Sequence, residues 1–325
     1  MSKNKKKSYL ITTGLVILFY VLIQVLISAN ILNRYWQGIL NLICINMIMA
    51  VSLNLTVGVL GQINLGHAGF MAIGAYSAGL FLKTGIVTGF PAFILSLIVG
   101  GFVAAIFGIL IGLPVLRLTG DYLAIVTLAF GEIIRVLIEN LDFTGGAQGL
   151  AGIPTTNDFW KFFFMAVFVI TMIFTWAESR HGRTVLSIRD NELAAEACGI
   201  NITKYKTQAF TLSAIFAGIA GALYAQNIGV LAANIFNYNK SFDNLVMVVL
   251  GGMGSITGAI FSSIGLTIIP ELLKPLAEWR MVIYAIILVV VMIFRPQGLL
   301  GRKEFSIRRL LKLDRYKKGD VEGEQ

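Results

Sequence analysis

The feature that most constrains this chain is a succession of long apolar runs. Tyr9–Ala29, Trp36–Val57, Ile63–Leu82, Pro91–Leu113 and Tyr122–Ile138 come first, and Phe159–Trp176 and Ala209–Gln226 follow. A helix needs about 20 apolar residues to cross roughly 30 Å of hydrocarbon, and these runs are of that length. The region from Phe242 to Phe294 is also apolar but interrupted, and it divides into Phe242–Leu250, Ile256–Leu273 and Trp279–Phe294. The expected fold is therefore all-α, a polytopic membrane bundle of about ten membrane elements. Composition agrees: 13% of residues are charged, against about 25% in a soluble domain. That deficit excludes a water-facing surface and favours one lipid-solvated unit over two soluble domains.

The net charge of +9 could suggest nucleic acid, but its distribution argues against that partner. Lys3, Lys5, Lys6 and Lys7 open the chain, Arg180, Arg183, Arg189, Lys204 and Lys206 lie between Glu178 and Thr207, and nine more basic residues follow from Arg295. Positive charge gathered in alternate loops is the cytoplasmic-side bias of membrane proteins. Counting crossings puts both termini, Gly58–Gly61, Arg117 and the 178–207 loop inside, and Leu141–Asp158 and Asn227–Lys240 outside. Residues 1–300 read as a transmembrane domain and 301–325 as a basic cytoplasmic tail. Tyr9–Ala29 is followed by no small-residue cleavage site, so it reads as an uncleaved first span. Cys44 and Cys198 lie in unlike surroundings, which argues against a disulfide, and two thiols make no metal site.

Phe242–Leu250 is too short to cross. Nine residues rise only about 14 Å, and the run then meets Gly251-Gly-Met-Gly-Ser255. A half-length apolar run ended by glycines marks a broken or re-entrant helix lining a binding path, with a short tilted helix and tight turn as the plainer reading. Val59-Leu60-Gly61 before Gly66 faintly echoes Val249-Leu250-Gly251 before Gly258. Ala214, Gly218 and Ala222, and beside them Ala217, Gly221 and Ala225, form small-residue stripes that let helix backbones approach in lipid.

Polar groups in these runs are candidates for a solute path. Gly58-Val-Leu-Gly-Gln-Ile-Asn-Leu-Gly-His-Ala-Gly-Phe70 joins glycines to Gln62, Asn64 and His67. Such groups either satisfy irregular backbone or contact solute. Asn46, Ala50 and Asn54 share one face of the preceding span at i, i+4, i+8. Interhelical hydrogen bonding is the expected use of that face, and solute contact is the alternative. A lone histidine near a helix end, as His67 is, is expected to be structural. Glu132 and Arg135 sit at i, i+3 inside an apolar run, spaced to pair, with lining of the path as the second possibility. Gly251, Gly252 and Gly254 complete the candidate path.

The 178–207 loop carries the strongest signal. Asp190 is placed to cap a short helix, Glu192-Leu-Ala-Ala-Glu-Ala-Cys198 has good helix formers, and Gly199 falls where a helix commonly ends in a left-handed residue. Acidic residues in its first turns suit the helix dipole. A helix this short, held between two spans, suits docking. An interfacial linker is the plainer reading.

This EAA-like Glu192…Gly199 loop resembles the coupling loop of bacterial ABC importer permeases. The wider chain is similar to the LivM-type branched-chain amino-acid permeases. The matching pieces are Gly61-Gln-Ile-Asn-Leu-Gly-His-Ala-Gly-Phe70, Asp121-Tyr-Leu-Ala-Ile-Val-Thr-Leu-Ala-Phe-Gly-Glu-Ile-Ile-Arg135, Thr144-Gly-Gly-Ala-Gln-Gly149, the stretch from Ala209 to Ala225, Val249-Leu-Gly-Gly-Met-Gly-Ser255 and Phe294-Arg-Pro-Gln-Gly-Leu-Leu-Gly301. They run in order over nearly the whole chain. Asn64 departs from the serine the family often has.

The resemblance implies a permease subunit in the bacterial inner membrane that moves leucine, isoleucine, valine or a related amino acid. Its implied partners are two cytoplasmic ATPase subunits, a second homologous permease and an extracytoplasmic solute-binding protein. Arg189, Asp190, Glu192, Ala195, Glu196 and Gly199 would form the ATPase contact. A ribose-type sugar permease of the same superfamily, or a self-sufficient transporter or channel, are the rivals. No catalytic arrangement is expected and no cofactor. Gly251-Gly-Met-Gly-Ser-Ile-Thr-Gly258 lacks the lysine of a phosphate-binding loop, so ATP hydrolysis falls to other chains.

Overall fold

The structure is a computed structural model. It describes residues 3–29 and 31–274, with isolated positions 279, 282, 285, 286, 289, 293, 294, 298, 299 and 301. The expected span Trp279–Phe294 and the tail 301–325 lie outside the described residues, apart from those isolated positions.

Among the described residues the fold is all-helical. The helices are α1 (Lys3–Ser28), α2 (Arg34–Asn54), α3 (His67–Lys83), α4 (Gly89–Val115), α5 (Asp121–Asn140), α6 (Phe159–Glu178), α7 (Arg180–Asp190), α8 (Glu192–Ala197), α9 (Ile202–Ile228), α10 (Tyr238–Gly251) and α11 (Ile256–Leu272). The pairing Leu150–Leu231 is an isolated bridge. Four helices are long and apolar enough to cross a bilayer: α2 with its extension to Val59, α4, α6 and α9. Thr13–Ser28 and α11 are shorter apolar helices.

The helix boundaries refine the reading of the sequence. α2 runs on through a π-helical turn at Leu55–Val59. The run expected at Ile63–Leu82 becomes helical only at His67, because Leu60–Gly66 forms an irregular connection with Gly61 at φ 77°. The run expected at Phe242–Leu250 starts earlier, at Tyr238, where the Asn237 side chain accepts from the Lys240 amide at 3.2 Å. α10 then rises about 21 Å by its length and ends where Gly252 takes φ 110°.

α9 lies at the centre, buried along most of its length. Its two small-residue stripes serve two neighbours. A Cβ on Gly108 would lie 2.8 Å from that of Ala214, and one on Gly218 would lie 2.6 Å from the Gly100 carbonyl, so that stripe seats α4, with Gly218 also against Gly74 of α3. A Cβ on Gly221 would lie 2.0 Å from the Met71 carbonyl, so the other stripe seats α3. Lipid tails are as apolar as leucine, so close backbone contact rather than burial of oily surface holds such helices together. α1 sits at the edge with Leu15, Leu18, Phe19, Leu22 and Val25 exposed, tied in by Tyr20 against Phe163 and Phe164 at ring-centre distances of 5.4 and 5.1 Å.

Candidate functional site

Among the described residues, the polar candidates inside the bundle gather mainly in two places, apart from pairs such as Gln226–Ser96 and Asn41–Asn227, and a further group lies on α7 and α8. The first is a joint where the π turn, the 252–255 turn and α7 meet. Gly58 carries no side chain there because there is no room. An added Cβ would lie 2.2 Å from both the Asn54 Oδ1 and the Gly254 amide nitrogen. Those two groups are themselves bonded, the Gly254 N–H donating to Asn54 Oδ1 at 2.8 Å. From α7, Arg189 Nη1 donates to the Gly58 carbonyl at 2.7 Å, a carbonyl that a π turn leaves available. The Arg189 stem fills the space a side chain on Gly61 would need, with Cγ at 2.5 Å. On the far side of the turn Gly251 and Gly258 meet backbone to backbone, so neither accepts a Cβ. Asn54, Gly251, Gly252, Gly254 and Arg189, far apart in sequence, thus share one joint.

The second is a seam between α2, α3, α10 and α11. Asn46 donates from Nδ2 to Thr267 Oγ1 at 2.9 Å and accepts from Lys240 Nζ at 3.3 Å. His67 is fully buried with Nε2 2.9 Å from Ser52 Oγ. The Ala68 amide donates to Ser241 Oγ at 3.2 Å, joining the first turns of α3 and α10. Asn244, one turn further along α10, is fully buried, and among the described residues both polar atoms of its amide lack a partner.

The remaining candidates make local or structural bonds. Asn64 Oδ1 accepts from the Gly66 amide at 2.9 Å and shapes the entry to α3. Gln62 is held by its backbone, its N–H donating to Thr56 O at 3.0 Å. Glu132 accepts from Arg135 Nε at 2.8 Å and from the Tyr238 amide at 2.8 Å, capping α10 with a carboxylate where the helix dipole favours one. Arg135 also reaches Glu139 at 2.8 Å.

The 178–207 segment holds two helices where the sequence suggested one. Ser179 caps α7, accepting from Gly182 N at 3.4 Å. Asp190 is the last residue of α7 and does not cap α8. Asn191 does, accepting from the Ala194 amide at 3.0 Å. The chain breaks helical geometry at Asn191, with φ −158° and ψ 105°, so the capping position falls one residue later than expected. Gly199 ends the element with φ 81°, as anticipated. Ala195 is buried. Glu196 and Leu193 are exposed, Leu193 at 79%. Glu192 takes both carboxylate oxygens to Lys206 Nζ at 2.8 Å, tying α8 to the start of α9.

No motif or spacing in the sequence marks Lys240, Ser241, Asn244 or Thr267. By run length alone Lys240 reads as the end of an outer loop. The available signal was Asn237, which is a good cap for a helix starting at Tyr238. Cys44 is buried and Cys198 exposed, and both are free. Among the described residues no His, Cys, Asp and Glu side chains cluster as metal ligands.

Residues 35–294 match the protein family described as "Branched-chain amino acid transport system / permease component". The chain is 35% identical to the high-affinity branched-chain amino acid transport system permease protein LivM of Escherichia coli K12, over 95% of this chain and 79% of that one. It is also 35% identical to LivM of Salmonella typhimurium, over 86% and 72% respectively. The high-affinity branched-chain amino acid transport system permease protein LivH of Escherichia coli K12 is 25% identical, over 79% of this chain and 91% of that one. No solved structure matches.

Proposed function

Because the chain belongs to the family of branched-chain amino acid transport permease components, we propose that it is the membrane-embedded permease subunit of an ATP-driven importer, moving leucine, isoleucine, valine or a related amino acid. Its chemistry is passage of solute, with hydrolysis left to partner chains. The fold supports this reading, since its long apolar helices pack through glycine and alanine, and its polar groups turn inward.

In the fuller form of the reading, about ten membrane elements cross the bacterial inner membrane, with both termini in the cytoplasm. α10 and α11 act as the halves of a broken helix. Residues 1–300 form the permease domain and 301–325 a cytoplasmic tail. Two ATPase subunits dock on α7 and α8, using Glu196, exposed Leu193 and the turn at Gly199. A second permease chain completes the pathway and an extracytoplasmic binding protein delivers solute. Asn46, Asn54 and the glycines at 251–254 stand closest to the path, while Gln62, Asn64, His67 and Glu132 shape it from behind.

The single observation that supports coupling most strongly is the hydrogen bond from Arg189 to the Gly58 carbonyl. It ties the helix proposed to meet the ATPase to the joint where α2 and the 252–255 turn touch. A rigid element fixed in that way can pass a rigid-body movement into the bundle.

The test is reconstitution in liposomes with and without the ATPases, partner permease and binding protein. ATP-dependent accumulation of leucine, isoleucine or valine by the full set alone is the expected result. Concentrative uptake by the lone chain, or accumulation of ribose in place of the amino acids, overturns the reading.

A further inference from the structure

Lys240 stands where a cation is electrostatically misplaced. It is in the first turn of α10, where the helix dipole disfavours positive charge. The first turn of α3 abuts the same place through the Ala68–Ser241 bond, adding a second positive helix end. Among the described residues no carboxylate oxygen comes within 4.0 Å of its ammonium. Glu132, which caps α10, is committed to Arg135 and to the Tyr238 amide. Asp243, one turn on, makes no ion pair within 4.0 Å, but its charge still attracts the ammonium across a longer gap.

The ammonium is held in place by neutral groups. Thr267 Oγ1 donates to the Ser263 carbonyl at 2.6 Å, so it can only accept from the Asn46 amide. That fixes the Asn46 oxygen toward Lys240, at 3.3 Å. Among the described residues the remaining N–H groups of Lys240 have no protein acceptor. α2 rises about 18 Å between Arg34 and Asn46, and α11 about 16 Å between Ile256 and Thr267. Both partners therefore lie well inside a slab roughly 30 Å thick. Asn244 follows Lys240 by four residues on the same face of α10, fully buried, with an amide donor and acceptor both unused.

An ammonium at this depth is expensive, and charges kept inside membrane bundles mark the path of a charged solute. The end of α10 is already capped by Glu132, so what the site leaves open is an ammonium with donors to spare and, one turn along the same face, an unused amide. The zwitterionic head of an amino acid matches both. We propose that Lys240 meets the α-carboxylate of the amino acid in transit, with the Asn244 carbonyl placed for its α-ammonium. This rests on the amino-acid reading above.

The test uses the complete reconstituted importer at saturating loaded binding protein, with radiolabelled leucine and subunit co-purification as the check on assembly. Lys240→Arg keeps the charge, while Lys240→Gln keeps a donor to Asn46 and removes the charge. Uptake should fall about 10-fold or more in Lys240→Gln, as expected for losing a charge-assisted bond, and stay near wild type in Lys240→Arg. Wild-type uptake in Lys240→Gln, or equal loss in both variants, overturns the proposal. If Lys240→Gln does not assemble, the assay passes to Lys240→Cys in a Cys198→Ser background, labelled after assembly. Recovery of uptake with 2-aminoethyl methanethiosulfonate and not with the methyl reagent supports the proposal. Recovery with neither or with both sinks it. If the wild-type complex takes up none of the three amino acids, the underlying reading has failed instead.

Discussion

Replacing Gly58 with alanine tests the joint directly. The added methyl would lie 2.2 Å from both Asn54 Oδ1 and Gly254 N, and 2.7 Å from Gly254 Cα. Two of these three atoms are backbone, so no rotamer change relieves the contact. The Asn54–Gly254 bond of 2.8 Å has to open. Leaving a buried amide unpaired costs about 1–3 kcal/mol, and overpacking a close contact costs a further 1–3 kcal/mol or so. Alanine recovers at most about 1 kcal/mol of helix propensity. The expected net loss is about 1–5 kcal/mol, the sum of those terms. Gly265→Ala is the control, since an added Cβ there meets nothing within 4 Å, and it should be neutral or gain up to about 1 kcal/mol. Thermal unfolding of the detergent-purified protein reads the difference, and uptake by the reconstituted complex reads its consequence. If Gly58→Ala unfolds with Gly265→Ala and transports at the wild-type rate, the joint is not tightly packed and the geometry described for it is wrong.

Gly221→Leu should prevent α3 from seating on α9, because its Cβ alone would be 2.0 Å from the Met71 carbonyl; loss of a monodisperse detergent-extracted peak checks this, with Gly14→Ala as the permissive control. Asn191→Ala should weaken α8 by about 1 kcal/mol as a lost cap, and Asp190→Ala should do less. Hydrogen exchange of residues 192–197 ranks the two, and the reverse order would restore Asp190 as the cap. Glu196→Lys and Gly199→Val should leave the protein in the membrane but weaken ATPase retention, the second through strain of about 1–3 kcal/mol at a positive φ. Full retention and uptake in both would reduce the loop to a linker.

The sequence revealed most where a single period or a single residue type decides the outcome. Run length located the long helices, and small residues at i, i+4 located the α9 stripes, because both patterns are local. Gly199 could be placed because a left-handed residue after a short helix favours glycine. What stayed hidden depends on register and on contacts between distant segments. Asp190 and Asn191 are both good caps, and only the backbone break after α7 decides between them. The π turn at Leu55–Val59 shifts the face on which Gly58 emerges, and no periodicity signals that shift in advance. The Asn46–Asn54 face was legible as polar, yet its partners, Thr267 and the 254 amide, lie 221 and 200 residues away. Lys240 was hidden for a different reason. A lysine at the edge of an apolar run looks like a loop residue unless the cap before it is weighed.

The chemistry of the joint bears on how movement could pass through it. Asn54, Gly58 and Gly254 are joined by a neutral hydrogen bond and by backbone contact, with no interdigitating side chains across Gly58–Gly254 or Gly251–Gly258. Exchanging one neutral hydrogen bond for another costs a net of about 1 kcal/mol or less, whereas separating a buried ion pair costs about 3–5 kcal/mol. A joint built in this way can adopt a second arrangement at little expense, provided something holds it from outside. Arg189 is that hold. Its charge-assisted bond to the Gly58 carbonyl is the ionised contact at the joint, and it comes from α7, the helix proposed above to meet the ATPase. The charge-assisted bond therefore lies between α7 and the joint, and the neutral ones lie within the joint. Under the proposed coupling, this order would let a displacement of α7 rearrange the 252–255 turn rather than detach from it.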